Sequence, residues 1–205
     1  MHYLRDKKAI FFVMLVVFIF IVIPYDSLVI NSIREMKGQK GLINQFFDTL
    51  MPIAKFLGDG AFIALIAIIL WLVGRLLNRE LLKKTGKLMF IGYIASGIAV
   101  QALKHLFGRA RPRITDDVVF IGPSFVSGFD SFPSGHTAVV FCLAYIFSIK
   151  YRRLSSIFFT FAVITAIERV YNLSHFPSDI IAGALTGLVT GAVLIKTDFY
   201  KKMFG

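Results

Sequence analysis

Residues 86–112 read GKLMFIGYIASGIAVQALKHLFGRARP, and this stretch decides the fold class. Up to about residue 106 it is mostly apolar, and it is as long as the roughly 20 residues that a helix needs to cross a bilayer. Three cations, Lys104, Arg109 and Arg111, lie near the end of the stretch, and Arg113 follows directly after it. Charges at the end of a membrane helix are costly and tend to be functional. The stretch therefore predicts a membrane helix that ends at an anion site.

The composition of the whole chain extends this prediction. Hydrophobic residues make up 57% and charged residues only 17%, whereas soluble domains carry about 25% charged residues. The mean hydropathy of +0.74 excludes an ordinary water-soluble surface. In a soluble protein the net charge of +11 would suggest nucleic acid. Here we expect basic loops and an anionic membrane lipid as partner, with no nucleic acid; the oligomeric state stays open.

Hydropathy predicts an all-α protein, a six-transmembrane-helix bundle that forms a single domain over residues 1–205. The polar first extracytoplasmic loop at 30–57 is predicted to hold a short interfacial helix, around Leu42–Met51. The first apolar run follows basic residues but lacks a convincing cleavage site, so we interpret it as a retained helix rather than a signal peptide. The predicted spans lie at about 9–29, 58–77, 86–106, 135–150, 155–174 and 178–196.

The distribution of basic residues predicts the orientation. Lysine and arginine concentrate at the N-terminus, near 75–87, near 150–153 and at the C-terminus, and the positive-inside rule assigns these segments to the cytoplasm. The small size and short loops suggest a bacterial, multi-pass protein of the cytoplasmic (inner) membrane with both termini inside. Residues 107–134 break the rule, because cations cluster there on the outer side. Anion binding explains them, so we expect a site that faces the periplasm or exterior.

Three segments at the outer helix ends supply what phosphate chemistry needs. Lys104, Arg111 and Arg169 are cations from three different segments that can hold phosphate oxygens. Ser134 offers a hydroxyl donor, and Gly135 lets the backbone at a helix start approach a phosphate closely. These five residues are the predicted phosphate-binding set.

Two histidines and a carboxylate are placed for nucleophilic attack and proton transfer. His175 and Asp179 are four residues apart, a spacing that brings them within reach of each other on one helical turn. An imidazole whose other nitrogen is held by a carboxylate can attack phosphorus. His136 lies on another segment and is then available to protonate the leaving oxygen.

These segments resemble the type 2 phosphatidic acid phosphatase superfamily, which also includes vanadium haloperoxidases. The family pattern is Lys-x6-Arg-Pro, then Pro-Ser-Gly-His, then Ser-Arg-x5-His-x3-Asp. The chain matches it from Lys104 to Asp179 with one departure, because Glu168 stands where the family usually has Ser. A carboxylate at that position can pair with a cation or tune specificity. Three ordered motifs with matching spacing make the resemblance specific.

The resemblance implies a six-helix bundle whose site lies at the extracytoplasmic edge and uses no metal and no cofactor. It implies that a phosphohistidine forms on His175 and is hydrolysed by water. It also implies that His136 acts as general acid while the phosphate-binding set holds the substrate.

We expect a lipid phosphatase, because a lipid tail can stay in the outer leaflet while its phosphate enters the cationic pocket. Arg109 and Arg113, with Glu168, are candidate secondary contacts to a headgroup with more than one phosphate. They favour undecaprenyl diphosphate or lipid A 1-phosphate over phosphatidic acid and phosphatidylglycerol phosphate. The two arginines suit an anchor to anionic lipids equally well. A lipid-to-lipid phosphotransferase of the same family and a non-catalytic lipid transporter or channel are the alternative functions.

Overall fold

The computed structural model describes residues 13–14, 17–39, 41–198 and 200–201. Regular structure in these ranges is helical, apart from an isolated bridge between Arg109 and Phe120. Residues 13–14 are helical, and the helical turns from Val17 onward include a 3-10 turn at Ile23–Tyr25. The all-α prediction is confirmed. The main helices are α1 (Asp26–Gly38), α2 (Leu42–Leu57), α3 (Gly60–Leu76), α4 (Glu80–Phe107), α5 (Gly135–Lys150), α6 (Ser155–Tyr171) and α7 (Pro177–Leu194).

The helices differ in their capacity to span a membrane. α2 and α3 are long and apolar enough to span a membrane only when they are taken together, and the chain bends by 49° between them. α5 has 16 residues, which corresponds to about 24 Å of helix against a hydrocarbon core of roughly 30 Å. The described part of the chain therefore holds four or five candidate spans. This confirms a helical protein that crosses the membrane several times, but it does not confirm the predicted number of six spans. The four segments that are each long and apolar enough to span a membrane without a partner helix are Val17–Gly38, Glu80–Phe107, Arg152–Tyr171 and Pro177–Leu194.

The N-terminal region differs most from the prediction. The first span was expected at 9–29, but the helix continues to Gly38, and residues 9–12, 15 and 16 lie outside the described ranges. The helix predicted around Leu42–Met51 is present but longer, because α2 continues to Leu57, and α1 occupies much of the rest of the segment that was expected to be a loop. Its polar residues make contacts between helices: Tyr171 of α6 donates a hydrogen bond to Asp48 of α2 at 2.6 Å. Whether α2 lies at the membrane interface stays a prediction.

Glycines on α7 allow it to pack closely on α5. A Cβ atom added at Gly187 would lie 2.2 Å from the Ala138 carbonyl oxygen, and one at Gly183 would lie 2.5 Å from the Ser134 carbonyl oxygen. There is thus no room for a side chain at either position, and small residues of this kind let two helix backbones approach each other closely. This packing brings the first turn of α5 beside the first turn of α7, where the Ser134 backbone N donates to the Asp179 carbonyl oxygen at 3.0 Å.

The segment 108–134 joins α4 to α5 across one end of the bundle. Gly108 caps the C-terminal end of α4 with a left-handed φ of +54°, and a Cβ atom there would lie 2.0 Å from the Gly122 carbonyl oxygen. The segment then folds back, because Arg109 bridges Phe120 and its carbonyl oxygen accepts a hydrogen bond from Ser131 N at 2.9 Å. The motif-bearing ends of α4, α5, α6 and α7 consequently meet at the same end of the bundle.

Candidate active site

His175 lies in the connection between α6 and α7, and Asp179 lies in the first turn of α7. The His175 Nδ1 atom is 3.5 Å from the Asp179 Oδ2 atom, and both side chains are buried. Asp179 also accepts a hydrogen bond from the Phe176 backbone N at 2.8 Å, which fixes the carboxylate at the start of the helix. The two side chains that the four-residue spacing predicts to meet are in contact through Nδ1.

Ser131 joins this pair, although sequence reasoning missed it. Its hydroxyl donates a hydrogen bond to Asp179 Oδ2 and lies 3.5 Å from His175 Nδ1. Ser131 is fully buried. The one feature of the sequence that could have indicated Ser131 is its position directly before the segment that contains Pro133 and His136.

Arg109 is fully buried and bridges two carboxylates. Its Nη1 atom lies 2.5 Å from Asp179 Oδ1, and its Nη2 atom lies 2.6 Å from Asp26 Oδ2. The guanidinium also donates to the Ser178 hydroxyl at 2.6 Å and lies over the Phe176 ring. The suggested headgroup contact does not fit this position, because a guanidinium with two carboxylate partners and no exposed surface cannot reach a lipid headgroup.

Asp26, the first residue of α1, connects the N-terminal helix to this buried group. Its Oδ1 atom accepts a hydrogen bond from the Ser178 backbone N at 2.9 Å, and its Oδ2 atom accepts from Arg109 and the Ser178 hydroxyl. A buried carboxylate is stable only with partners of this kind. Sequence reasoning could not find Asp26, because Arg109 is 83 residues away and Ser178 is 152 residues away.

Lys104 and Arg111 converge on one carboxylate, that of Asp130. Arg111 donates two parallel hydrogen bonds, from Nε to Oδ1 at 2.8 Å and from Nη2 to Oδ2 at 2.7 Å. The Lys104 Nζ atom lies 3.5 Å from Asp130 Oδ2. The two predicted phosphate-binding cations are thus neighbours, and the carboxylate between them is a further residue that sequence reasoning missed.

Arg169, near the end of α6, is paired with the preceding residue. The Glu168 carboxylate contacts the Nε and Nη2 atoms of Arg169 and accepts a hydrogen bond from the Asn172 side chain. Glu168 has no exposed surface, so it does not reach a headgroup as a secondary contact. Of the two effects suggested for the departure at this position, pairing with a cation is the one observed.

Arg113 is the exposed member of the three candidate secondary contacts. Its Nη2 atom donates to the Ser174 hydroxyl at 2.7 Å and to the Asn172 carbonyl oxygen at 3.3 Å. These partners directly precede His175, so Arg113 lies at the rim of the site.

His136, in the first turn of α5, faces Asp59, the residue before α3. The His136 Nε2 atom is 3.4 Å from Asp59 Oδ2, while Asp59 Oδ1 accepts hydrogen bonds from the backbone N atoms of Ala61 and Phe62. Asp59 is therefore both the N-cap of α3 and a partner of the imidazole. The charges of Arg169 and His175 act on His136, so the two histidines lie within electrostatic range of each other.

Ser134 and Gly135 begin α5 but differ in their surroundings. Ser134 has no exposed surface, and its hydroxyl accepts a hydrogen bond from the Thr137 hydroxyl at 3.0 Å. Gly135 is partly exposed, and a Cβ atom added there would meet Val100 at 3.6 Å, which is an ordinary contact distance. Packing inside the protein therefore does not require glycine at this position.

Taken together, the cluster combines three cations with two histidines that each have a carboxylate neighbour. Burial lowers the pKa of His175 from its ordinary value; Asp179 opposes this shift, while Lys104 and Arg111 add to it. A neutral imidazole among cations can act as a nucleophile toward a bound anion. In the described ranges, no three or more His, Cys, Asp or Glu side chains are grouped to hold a metal ion.

The lowered pKa of His175 gives a prediction for the protein without a bound ligand. A lowered pKa means that the imidazole stays neutral as the pH falls, so protonation should be half complete only below pH 6.5, the approximate value for unperturbed histidine. We expect this result from an NMR titration of protein labelled at histidine, with the His175 signal assigned by its loss in His175→Ala. A midpoint at or above pH 6.5 would show that Asp179 outweighs burial and the two cations.

Residues 86–203 match the PAP2 superfamily, and this range contains all three motif segments and more than half of the chain. The chain belongs to the PAP2 superfamily. This PAP2 protein is 32% identical over 165 residues to the lipid A 1-phosphatase of Rhizobium etli, with 71% of each chain covered.

A second relative resembles the chain in sequence, and a solved structure resembles it in fold. Over 130 residues the PAP2 protein is 33% identical to Escherichia coli YbjG, with 62% of each chain covered. YbjG is named as an undecaprenyl-diphosphatase, an assignment that its name marks as provisional. The fold is similar to that of a transmembrane PAP2 type phosphatidylglycerolphosphate phosphatase from Bacillus subtilis, with a TM-score of 0.65, 96% of each chain covered and 23% identity. The chain is thus a phosphoric ester hydrolase of the PAP2 lipid phosphatase class.

Proposed function

We propose that this PAP2 protein removes phosphate from a membrane lipid phosphate or diphosphate through a phosphohistidine on His175, without a metal ion or cofactor. The observation that carries the proposal is the buried His175–Asp179 pair, with Nδ1 and Oδ2 3.5 Å apart. The charges of Lys104 and Arg111 act on the same imidazole. A single domain spanning residues 1–205 is proposed to hold the whole activity.

In the first step the cations Lys104, Arg111 and Arg169 hold the phosphate oxygens, because charge-assisted hydrogen bonds stabilise the charge that spreads over them. The Nε2 atom of His175 forms a bond to phosphorus, and the bond from phosphorus to the leaving oxygen breaks. His136, protonated when the phosphate anion binds beside it, gives its proton to that oxygen. Asp179 stabilises the positive charge that develops on the His175 ring.

In the second step water attacks the phosphohistidine. His136 is now neutral and accepts a proton from the water molecule, the phosphorus–nitrogen bond breaks, and His175 returns to its neutral form. Inorganic phosphate leaves the cations. The protons balance over the two steps, because His136 gives one and regains one.

The proposed orientation places the site at the extracytoplasmic face of the bacterial cytoplasmic (inner) membrane, with both termini cytoplasmic. Two observations support it. The motif-bearing ends of α4 to α7 meet at one end of the bundle, and the basic turn between α5 and α6, with Arg152 and Arg153, lies at the other end of those helices. The positive-inside rule assigns that basic turn to the cytoplasm.

Undecaprenyl diphosphate or lipid A 1-phosphate is the proposed substrate. The relatives that support this choice are a lipid A 1-phosphatase and YbjG. Of the two arginines that flank the first motif, Arg113 is the one available to a second phosphate, because Arg109 is buried. A phosphotransferase that passes the phosphoryl group from His175 to a second lipid is an alternative with the same first step. A non-catalytic lipid transporter or channel is the alternative from another class.

A panel of lipids tests the proposed function. Purified protein in a metal chelator is supplied with undecaprenyl diphosphate, lipid A 1-phosphate, phosphatidylglycerol phosphate and phosphatidic acid, each carrying labelled phosphate. We expect inorganic phosphate to be released, and fastest from one of the first two lipids. Label on a second lipid would favour the phosphotransferase. Equal rates with all four would remove the substrate preference, and no release from any lipid would support the transporter.

Replacing Gly135 by alanine is expected to weaken phosphate binding without lowering stability. The methyl group has room against Val100 but would stand where the backbone approaches the phosphate. We expect the inhibition constant of inorganic phosphate to rise at least about tenfold, with an unchanged melting temperature. Gly187→Ala is the matched control and should instead lower the melting temperature, because its methyl group would lie 2.2 Å from the Ala138 carbonyl oxygen. Wild-type phosphate inhibition in Gly135→Ala would count against a close backbone approach.

A further inference from the structure

Asp130 occupies the two cations that the proposed function assigns to phosphate. Its two carboxylate oxygens accept the two parallel hydrogen bonds of Arg111, at 2.8 Å and 2.7 Å, and one of them lies 3.5 Å from the Lys104 Nζ atom. Two oxygens of a phosphate group would offer the same guanidinium the same pair of acceptors. The carboxylate and a bound phosphate therefore need the same hydrogen-bond donors.

The occupant is a charged group at neutral pH. The Arg111 guanidinium, together with Lys104, holds the pKa of the Asp130 carboxyl well below its usual range, although partial burial opposes this shift. An ionised carboxylate competes with an anionic ligand for the same cations far better than a neutral group would.

We infer that Asp130 is an internal competitor for the phosphate site. Its carboxylate binds Arg111 and Lys104 when the site is empty, leaves them when the substrate phosphate binds, and returns as inorganic phosphate departs. The inference rests on the proposed function, since it needs Lys104 and Arg111 to be phosphate ligands.

The loop allows such an exchange by movement of the side chain alone. The Asp130 side chain is 39% exposed, whereas that of Lys104 is 10% exposed, so the carboxylate lies on the open side of the cations. The backbone on either side is tied down, because Phe129 N donates to the Val126 carbonyl oxygen and Ser131 N donates to the Arg109 carbonyl oxygen. Rotation of the Asp130 side chain toward solvent would free both cations and leave the loop in place.

The exchange has a consequence for turnover. A pocket with three cations holds the product phosphate as well as the substrate phosphate, because both carry the charge that the cations recognise. A carboxylate that competes equally with both ligands raises the KM and speeds product release without acting on the chemical step. Asp130 would thereby set how long inorganic phosphate stays in the site.

A different role would give the opposite result. If Asp130 only aligned Arg111 for the phosphate, then its removal would misplace the guanidinium and weaken the binding of anions. The competitor role predicts tighter binding on removal of the charge, so the sign of the change separates the two roles.

The test compares Asp130→Asn and Asp130→Ser with wild type and with Asp117→Asn. Asp117 lies in the same loop and is exposed, so its variant carries the same charge change without touching the two cations. Two quantities are measured for each full-length protein in detergent. One is the inhibition constant of inorganic phosphate and of orthovanadate, and the other is the rise in melting temperature that phosphate causes, which requires no turnover.

We expect the inhibition constants of both anions to fall about ten- to hundredfold in the Asp130 variants, with a larger phosphate-induced rise in melting temperature. Asp117→Asn should match wild type. If Asp130→Asn does not fold, then Asp130→Ser tests the competitor role, because serine removes the charge and is too short to reach the two cations. Unchanged or raised constants in a folded Asp130 variant overturn the inference while the proposed function stands. Wild-type protein that neither releases phosphate from lipids nor is stabilised by phosphate overturns both.

Discussion

Replacing His175 by alanine is expected to lower the rate of phosphate release from the lipid substrate by at least about a thousandfold. The variant loses the nitrogen that is proposed to bond to phosphorus, and removal of a catalytic nucleophile costs several orders of magnitude in other hydrolases. The remaining cations still hold the phosphate, so lipid binding should persist. The measurement is single-turnover release of labelled phosphate by purified protein.

His105→Ala is the matched control for this prediction. His105 belongs to no motif; its Nδ1 atom lies 3.0 Å from the Ser124 carbonyl oxygen, and its ring packs on Phe125. Its loss should therefore change the rate only a few-fold. A His175→Ala variant that retains a rate similar to that of His105→Ala would show that another group attacks phosphorus.

The second large effect is expected for Arg109→Met. Methionine fills a similar volume but leaves Asp26 and Asp179 as buried carboxylates without their cation. Breaking a buried ion pair by removing one partner typically costs about 3–5 kcal/mol. The Asp179 carboxylate, which contacts His175, also loses a hydrogen bond on Oδ1. We expect a lower melting temperature together with a fall in kcat of about tenfold or more.

Two further variants isolate the buried charge as the cause. Arg113→Met removes the neighbouring exposed arginine and should change the melting temperature little. Asp26→Asn introduced into Arg109→Met removes one of the two uncompensated charges, so part of the lost stability should return. A double variant no more stable than Arg109→Met would show that packing, and not charge, explains the loss.

The parts of this molecule that could be predicted are those encoded within a few residues of each other. The four-residue spacing of His175 and Asp179 is local, and the structure brings the two side chains together at the start of α7. The apolar run that ends at Lys104 is likewise local and forms the end of α4. Hydropathy and spacing are enough for features of this kind.

The parts that could not be predicted depend on contacts between distant segments. Arg109 was taken as a headgroup contact because its partners, Asp26 and Asp179, come from α1 and α7 and share no motif with it. The polar segment at 30–57 was taken as a loop because its charges suggest exposure to water. Arg34 in that segment is exposed, but it also pairs with Asp116 of the loop 108–134 at 2.6 Å, a contact that fixes the segment against the rest of the protein. Tertiary partners, which local sequence does not reveal, decide these positions.

Trapping the phosphoenzyme tests the central claim most directly. Purified protein in chelator is mixed with lipid carrying labelled phosphate, stopped with alkali within one turnover, digested and mapped by mass spectrometry, because phosphohistidine survives alkali better than acid. We predict label on the peptide that contains His175, and none in His175→Ala. Label on a different residue, or release of phosphate that requires added magnesium and leaves no phosphohistidine, would contradict the account.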